Sequence, residues 1–431
     1  MSSEVEEHRL ESICLLVVDC PHATPKWTDS GVVVLRNQNI KAGRLDLSTP
    51  SFTDEAHYKG RTKRAVPTPG DIVITREAPM GDVCLIPEGL RCCLGQRQVL
   101  LRLDPSKVDA RFLLFALQSP YVQFQIGWNQ GTGSTVSNLR IPVLESLKIP
   151  TPPMSLQVEI ATTLGALDDR ITLLRETNAT LEAIAQALFK SWFVDFDPVR
   201  AKLEGLTPEG MDEATAALFP DGLEESELGL VPRGWRVAQC QDLFEVRDGT
   251  HESPKPSLDG YPLVTSKHIT SGRVNFQDTY LISEGDYTAI SKRSKVNRLD
   301  VLITMIGTVG LSAILLDDRN DFAIKNIGLF KTSAAPNFAY FFSLLLKSAR
   351  MQEYLSARLA GTTQKYLSLK ALREIGLLVP TEKVLVEFSK IASTLFDVIH
   401  RNSQQAQTLA TLRDTLLPRL ISGALRLPEV S

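Results

Sequence analysis

The sequence predicts an α/β protein in which two mixed α/β modules are joined by two long antiparallel coiled-coil helices, with an internal two-fold repeat. A shift of ~229 positions lays the first part of the chain on the second without a gap for ~80 residues, which indicates a duplicated unit. A heptad pattern of apolar residues follows each copy. The predicted order is a first module at 1–150, a helix at 151–200, a connector at 201–234, a second module at 235–380 and a helix at 381–431.

The repeat includes polar and glycine positions as well as apolar ones. Two similar modules on one chain suit the recognition of two similar but non-identical partners. The aligned pairs include Asp19 with Asp248, His22 with His251, Lys26 with Lys255, Gly43-Arg44 with Gly272-Arg273, Lys63-Arg64 with Lys292-Arg293, and Gly81 with Gly310.

Within each module the residue pattern predicts short strands followed by a helix. The β-branched runs at 31–35 and 71–75 are bounded by Gly, Pro and Asp, as strands commonly are. Apolar residues are dense at 110–118 and 337–347, which predicts a helix in each copy. A strand ending at Pro150 or Pro380 is expected to close each module.

The long helices are predicted from apolar residues that alternate at spacings of four and three. The first series is Ile160, Leu164, Leu167, Ile171, Leu174, Asn178, Leu181, Ala185, Leu188 and Trp192. The second, weaker in its middle but given the same phase, is Ile391, Leu395, Val398, Asn402, Gln405, Leu409, Leu412 and Leu416.

Antiparallel pairing of these helices would place Leu164 against Leu416 and Asn178 near Asn402. An asparagine in such a seam sets the register, although both asparagines could instead be exposed polar breaks. The residues predicted to form the helix pair or a partner interface are Leu164, Leu167, Ile171, Asn178, Leu188, Leu395, Asn402, Leu409 and Leu416.

The composition is that of an ordinary globular protein, with 43% hydrophobic and 23% charged residues and a formal net charge of −3. The excess acid lies between residues 151 and 234, whereas the modules are neutral to basic. No membrane span is predicted, and the first nine residues do not resemble a signal peptide, so a cytoplasmic location is expected. The six cysteines lack a C-x-x-C pair and are interpreted as buried or half-buried thiols.

Known catalytic and metal-binding motifs are absent from the sequence: it has no phosphate loop, dinucleotide turn, nucleophile elbow or zinc cluster. The repeated motif Asp-x-x-His-x-[Ser/Thr]-Pro-Lys is the most suggestive polar pattern. It supplies no second acid or nucleophile, so an Asp–His hydrogen bond that fixes a loop, or a nucleic-acid contact through Lys26 and Lys255, is favoured over catalysis. The lone acid Asp197 is interpreted as a helix terminus.

Basic residues that both copies share suit contacts with DNA phosphates, and positions that differ suit base recognition. Each of these residues could also be an ordinary solvated loop charge. The candidate DNA-binding residues are Lys26, Arg36, Asn37, Arg44, Lys63, Arg64, Arg76, Thr132, Ser134, Lys255, Lys267, His268, Arg273, Lys292, Arg293, Thr362 and Lys365.

Three segments give the chain a family resemblance. They are Phe-Lys-Ser-Trp-Phe-Val-Asp-Phe-Asp at 189–197, Gly-Leu-Val-Pro-Arg-Gly-Trp at 229–235 and Leu-Leu-Pro-Arg-Leu-Ile-Ser-Gly at 416–423. The turn at 306–310, the strand at 324–326 and the loop at 361–365 add to it. Through these segments the chain resembles the specificity subunit of a type I restriction-modification enzyme over nearly its whole length.

The resemblance implies two target-recognition domains that each read one half of a bipartite, gapped sequence in double-stranded DNA. It implies that the helix pair sets the gap and docks two modification subunits, which carry S-adenosylmethionine, and that restriction subunits using ATP and Mg then join. It implies no catalytic site, cofactor or metal in this chain.

Three alternatives stay open: a duplicated hydrolase or nuclease, a coiled-coil scaffold or DNA mimic, and a specificity subunit of a type IIB-like assembly. The first module departs from the pattern because it lacks a counterpart of the segment 232–235, so its first strand is expected to be less firmly anchored.

Overall fold

The computed structural model describes residues 5–128, 138–270, 272–361 and 365–427. The chain divides into two compact units, Met1–Leu174 with Gln405–Ser431, and Arg175–Gln404. Each unit contains one module and a part of each long helix.

The first module is built on a four-stranded antiparallel sheet whose two central strands are buried on both faces. Its strands lie in the order Cys14–Asp19, Gln98–Leu103, Ile72–Thr75 and Val83–Leu85. Successive side chains of a strand point to opposite faces of the sheet, so Ile72 and Ile74 pack in the cluster with the helix Ala110–Gln118, and Val73 packs in a separate cluster on the other face. Burial of each such side chain stabilises the module by about 2 kcal/mol.

The other elements of the first unit cover this sheet. A three-stranded sheet has the order Ser51–Thr53, Val32–Leu35 and Cys92–Leu94. The remaining strands are Glu7–Arg9, Ile40–Lys41, Arg44–Leu45 and Lys148–Pro150. The helices and 3₁₀ turns are Leu10–Ile13, Asn37–Asn39, Glu55–Arg61, Ala110–Gln118, Pro120–Trp128 and Ile141–Glu145.

The second module repeats the same topology, as the internal repeat predicts. Its four-stranded sheet has the order Val246–Asp248, Ile327–Phe330, Val301–Thr304 and Ser312–Ile314, and its three-stranded sheet has the order Leu281–Ile282, Tyr261–Val264 and Ala323–Ile324. Its other strands are Arg236–Gln239, Ile269–Thr270, Arg273–Val274 and Gly376–Val379. Its helices and 3₁₀ turns are Cys240–Leu243, Ser266–His268, Glu284–Ser294, Thr332–Ala334, Pro336–Lys347, Ala349–Ser356 and Leu369–Arg373.

The first and last strands of each module pair with one another. Glu7–Arg9 pairs antiparallel with Lys148–Pro150, and Arg236–Gln239 pairs in the same way with Gly376–Val379. The first strand of the first module is therefore anchored like its counterpart, and the expectation of a weaker attachment is wrong.

The connector contains more regular structure than the sequence predicts. It contains the helices Asp197–Leu203 and Glu213–Ala217 and a hairpin of Leu223–Ser226 with Gly229–Pro232. Most of its glycines and prolines separate these short elements, whereas Gly229 and Pro232 are the end residues of a hairpin strand. Asp197 begins the first of these helices, as predicted.

An aromatic cluster fills the core of the second unit where the first long helix ends. The rings of Phe193 and Phe341 are 4.9 Å apart, and those of Phe193 and Phe388 are 4.8 Å apart. Trp192 contacts Phe219 edge to face at 5.0 Å. Such pairs add about 1 kcal/mol each to the burial of their apolar area. The aromatic run at 189–196 therefore has a packing role.

The two long helices are Met154–Lys190, which continues into a π-helical turn at Ser191–Asp195, and Glu382–Ile421. In the first unit Ile160 and Leu164 share a buried cluster with Leu417 and Leu420. In the second unit Asn402 Nδ2 donates to Asn178 Oδ1 at 3.0 Å, as antiparallel pairing predicts. Asn178 is buried and also donates to the carbonyl oxygen of Ile399 at 3.2 Å.

Every predicted interface residue of the helices is buried or half-buried within its own unit. These residues are Leu164, Leu167, Ile171 and Leu188 in the first helix, Leu395, Leu409 and Leu416 in the second, and the two asparagines.

The phase predicted for the second helix is wrong at three of its eight positions, Ile391, Gln405 and Leu412. Ile391 and Leu412 are 36% and 45% exposed, whereas the adjacent Ala392 is buried. Ala406 is also buried in the seam, and Arg413 lies there half-buried and bonds Asp168 through Nη1 at 2.6 Å. At 391 and 412 the pattern favoured a larger hydrophobic residue beside a small or charged seam residue, and at 405 the spacing selected the exposed Gln405 beside the buried Ala406.

Candidate nucleic-acid interface

In the first module several loops meet at one end of the four-stranded sheet, which we call the first rim. It consists of residues 19–24, 36–39, 76–82 and 95–97 with Asn138. Gln96 Nε2 donates to the carbonyl oxygen of His22 at 2.5 Å, and the Asn37 amide donates to the carbonyl oxygen of Glu77. Arg97 Nε lies 3.1 Å from Glu77 Oε2. Four separate segments thus form one polar surface.

Asp19 is the central acid of the first rim. Arg76 Nη1 lies 2.8 Å from both of its carboxylate oxygens, and His22 Nε2 lies 3.2 Å from Oδ2. Arg76 is only 9% exposed and also donates from Nε to the carbonyl oxygen of Leu139 at 2.9 Å. The prediction that Arg76 reads a base is therefore corrected: its donors hold the rim together.

The second rim occupies the same end of the sheet in the second module. It consists of residues 248–253, 265–268, 305–310 and 325–326 with Arg293 and Tyr366. His251 Nε2 lies 3.0 Å from Asp248 Oδ2, and Arg293 donates to Asp248 Oδ1. His251 Nδ1 lies 2.8 Å from Asn326 Oδ1. The predicted Asp–His hydrogen bond is thus confirmed in both modules.

Two rim residues that sequence reasoning did not select adopt left-handed backbone angles. Arg97 has φ 67° and Asn326 has φ 55°, and the repeat places them at equivalent positions. This conformation costs an L-residue about 1 kcal/mol, less for asparagine, whose side chain tolerates it. Gln96 and Asn138 were missed as well, whereas Glu77 belongs to the pair Arg76-Glu77 that differs from Met305-Ile306 in the second copy. The one signal in the sequence for Arg97 and Asn326 was that the repeat aligns them although their residue types differ.

The repeated Gly-Arg hairpins both lie near the first long helix, but only Arg44 is hydrogen-bonded to it in the contacts described. Arg44 Nη2 donates to the carbonyl oxygen of Asp168 at 2.5 Å, Nη1 donates to Thr172, and the Asp168 carboxylate lies 3.6 Å away. The predicted phosphate contact of Arg44 is therefore corrected to a contact with the first long helix. Arg273 lies on the equivalent hairpin and is exposed, so its phosphate contact stays a prediction.

The remaining candidates differ in accessibility. His268 is buried, and its Nδ1 accepts from Thr265 N at 2.9 Å, so it caps a turn and is withdrawn as a base-reading residue. Asn37 is half-buried. Thr132, Ser134 and Thr362 lie outside the described residues. The exposed candidates are Lys26, Arg36, Lys63, Arg64, Lys255, Lys267, Lys292, Arg293 and Lys365.

The exposed residue Arg36 lies beside an aromatic ring. Its guanidinium carbon is 5.3 Å from the ring centre of Trp27, which is itself exposed. Such a pair offers a charge and a flat apolar face together, a combination suited to nucleotides.

The thiols offer little nucleophilic chemistry. All six cysteines are free, and five of them are buried, as predicted. Burial raises the pKa of Cys84 and of Cys92 to about 12, so both are protonated at neutral pH. Among the described residues no cluster of His, Cys, Asp and Glu could hold a metal ion.

A model of the type I restriction modification DNA specificity domain matches residues 3–183 and again residues 232–412. These two matches cover most of the chain. The chain belongs to this family. It is a DNA sequence-specificity subunit with two target-recognition domains, and each domain contains one of the two rims.

Several relatives resemble the chain over most of its length. The type I restriction enzyme MjaIX specificity subunit of Methanocaldococcus jannaschii is 26% identical over 371 residues, covering 84% of this chain and 79% of the relative. The HindI specificity subunit of Haemophilus influenzae is 28% identical over 336 residues, covering 68% of this chain and 72% of the relative.

A solved structure shares the fold. The crystal structure of a type I restriction-modification S subunit from M. genitalium is 18% identical, with a TM-score of 0.54, and the alignment covers 100% of this chain and 98% of that one. In the described part of the chain, no helix has the length and apolar character needed to cross a membrane.

Proposed function

We propose that each module of this specificity subunit reads one half of a bipartite, gapped sequence in double-stranded DNA. The observation that carries the proposal is the duplicated rim. Both modules fix an Asp–His pair at the same end of the same sheet, but surround it with different side chains. Two modules that share one architecture but carry different rim side chains suit two half-sites of different sequence.

The helix pair would set the distance between the half-sites. The hydrogen bond between Asn178 and Asn402 supports this role, because buried asparagines in a seam fix the register of two helices. A fixed register gives a fixed length, and half-site spacing follows the geometry of the protein that holds the readers.

The helix pair would also dock two modification subunits. Ile184 and Leu173 are about half exposed on the first helix, which supports an interaction surface there. The modification subunits would carry S-adenosylmethionine and methylate adenine, and restriction subunits would supply ATP- and Mg-dependent cleavage. The chain itself would act in the cytoplasm without catalysing either reaction.

The test is long-read methylome sequencing of the host with and without the gene. The expected result is a gapped, two-part motif carrying methyladenine that disappears on deletion and returns on complementation. If the complemented strain, with intact partner genes expressed, shows no motif that depends on this gene, the proposed function is wrong.

A further inference from the structure

Two rim residues with left-handed backbone angles occupy one structural position in the two modules. Arg97 directly precedes the strand Gln98–Leu103, and Asn326 directly precedes its counterpart Ile327–Phe330. Both strands lie second in their four-stranded sheets. The duplicated fold therefore presents two different polar side chains from the same turn.

Each of these side chains is oriented by a different neighbour. The Arg97 side chain is 56% exposed, and its Nε contacts Glu77, which in turn accepts from Asn138 Nδ2 at 2.7 Å. Asn326 is half-buried, and His251 bridges it to Asp248. A side chain held by a second polar group loses less freedom on binding, which suits a reader of base edges.

We infer that Arg97 and Asn326 are specificity-determining residues of the two modules, with Arg97 reading a guanine in one half-site and Asn326 reading an adenine in the other. The inference rests on the proposed function and extends it to single positions.

The chemistry of the two side chains matches these bases. Arginine donates two parallel hydrogen bonds to guanine O6 and N7, and the Glu77 contact through Nε leaves Nη1 and Nη2 for that purpose. Asparagine accepts from adenine N6 and donates to N7. An amide oxygen accepts two hydrogen bonds, so Asn326 Oδ1 can accept from a His251 ring protonated on both nitrogens and from adenine together.

The test uses the complex of this chain with its modification subunits. Methylation is measured on duplexes in which each base pair of the wild-type motif is changed in turn. Arg97→Ala is expected to lower methylation of the wild-type duplex by about ten- to a hundredfold and to remove the preference at one G·C position of one half-site. Asn326→Ala should do the same at one A·T position of the other half-site.

Two further variants make the result decisive. Arg97→Lys keeps a positive charge beside Glu77 but lacks the planar fork, so it should fold normally and still lose the guanine preference. Arg91→Ala removes an exposed arginine that is paired with Glu55 in the same module, and it should leave the motif unchanged.

The assignment is overturned if Arg97→Lys and Asn326→Ala retain both half-sites intact. It is also overturned if they weaken every duplex equally, because that behaviour belongs to a phosphate contact. A wild-type complex that methylates no gapped motif would instead refute the proposed function, which separates the two failures.

Discussion

The two modules share their sheets strand for strand, yet they hold the same aspartate with different arginines. In the first rim Arg76, from the strand-end loop of the sheet, binds Asp19. In the second, Met305 occupies that position and Arg293, from a helix, binds Asp248. The duplicated fold has therefore kept the aspartate in both modules. The arginine that binds it comes from a different element in each module, and the side chains exposed nearby differ as a result.

The surroundings of the anchor differ accordingly. The first rim is charged, with Glu77 between Arg97 and Asn138. In the second rim Ile306 replaces Glu77, and it pairs through its backbone with Tyr366, which is exposed. Two surfaces of one shape that carry different charged and polar side chains favour different base edges, so architecture alone does not determine what a module reads.

The largest effect is expected from a change in the distance between the two modules. Insertion of four residues into the Leu164–Leu188 segment of the first helix, with a matching insertion in the second, should replace the wild-type target by one with a different gap. Both half-sites should keep their sequences, because neither rim is altered. Methylome sequencing reads both properties together, and an unchanged gap would refute the role of the helices as a spacer.

Arg76→Met places in the first module the residue that the second module has at this position, Met305. No other arginine in the described part of the first module takes the role of Arg293 and bonds to the aspartate carboxylate instead. Unfolding of the first unit should become easier by about 3 kcal/mol, because Asp19 stays largely buried without its partner. Chemical denaturation measures the change. Addition of Asp19→Asn should restore part of the stability, and no restoration would mean that packing rather than charge explains the loss.

The Gly-Arg hairpins provide a matched pair of variants. Arg44→Ala should cost about 2 kcal/mol of stability through its lost bonds to the first long helix, and should leave the salt dependence of DNA binding unchanged. Arg273→Ala should leave stability nearly unchanged and lower the salt slope by about one counterion. Equal behaviour of the two variants would show that the hairpins have the same role in both modules.

The smallest effect is expected at the shared lysines. Lys26 lies 3.5 Å from Asp54 and is well exposed, so Lys26→Ala should change stability by less than about 0.5 kcal/mol. If it contacts a phosphate, binding should weaken on all sequences alike, and Lys255→Ala should do the same. Titrations against matched and scrambled duplexes measure this, and a loss confined to one sequence would contradict the assignment.

Local patterns predicted the elements of the fold well. The β-branched runs gave Val32–Leu35 and Ile72–Thr75, and apolar density gave the helix Ala110–Gln118. The pairing of Asn178 with Asn402 followed from an antiparallel alignment of the two heptad series. The phase of the second helix failed because small or charged residues, Ala392, Ala406 and Arg413, occupy seam positions next to the residues that the spacing selected.

The candidate site was predictable only in part. Arg76 and Arg44 look like surface cations in the sequence, but their partners Asp19 and Asp168 are distant along the chain. Periodicity contains no information about such pairs. Arg97 and Asn326 were missed because their significance lies in a backbone angle and in a shared position that becomes evident only once the two sheets are aligned.

The antiparallel pairing of first and last strands means that each module leaves its scaffold and returns to it at neighbouring points, with Glu7 opposite Pro150 and Arg236 opposite Val379. A segment whose ends lie side by side can be exchanged as a cassette through two joints. Recombination between genes of this kind at the bordering sequences would then replace one half of the target while the other half and the gap persist. A new sequence specificity would thus need only one exchanged segment.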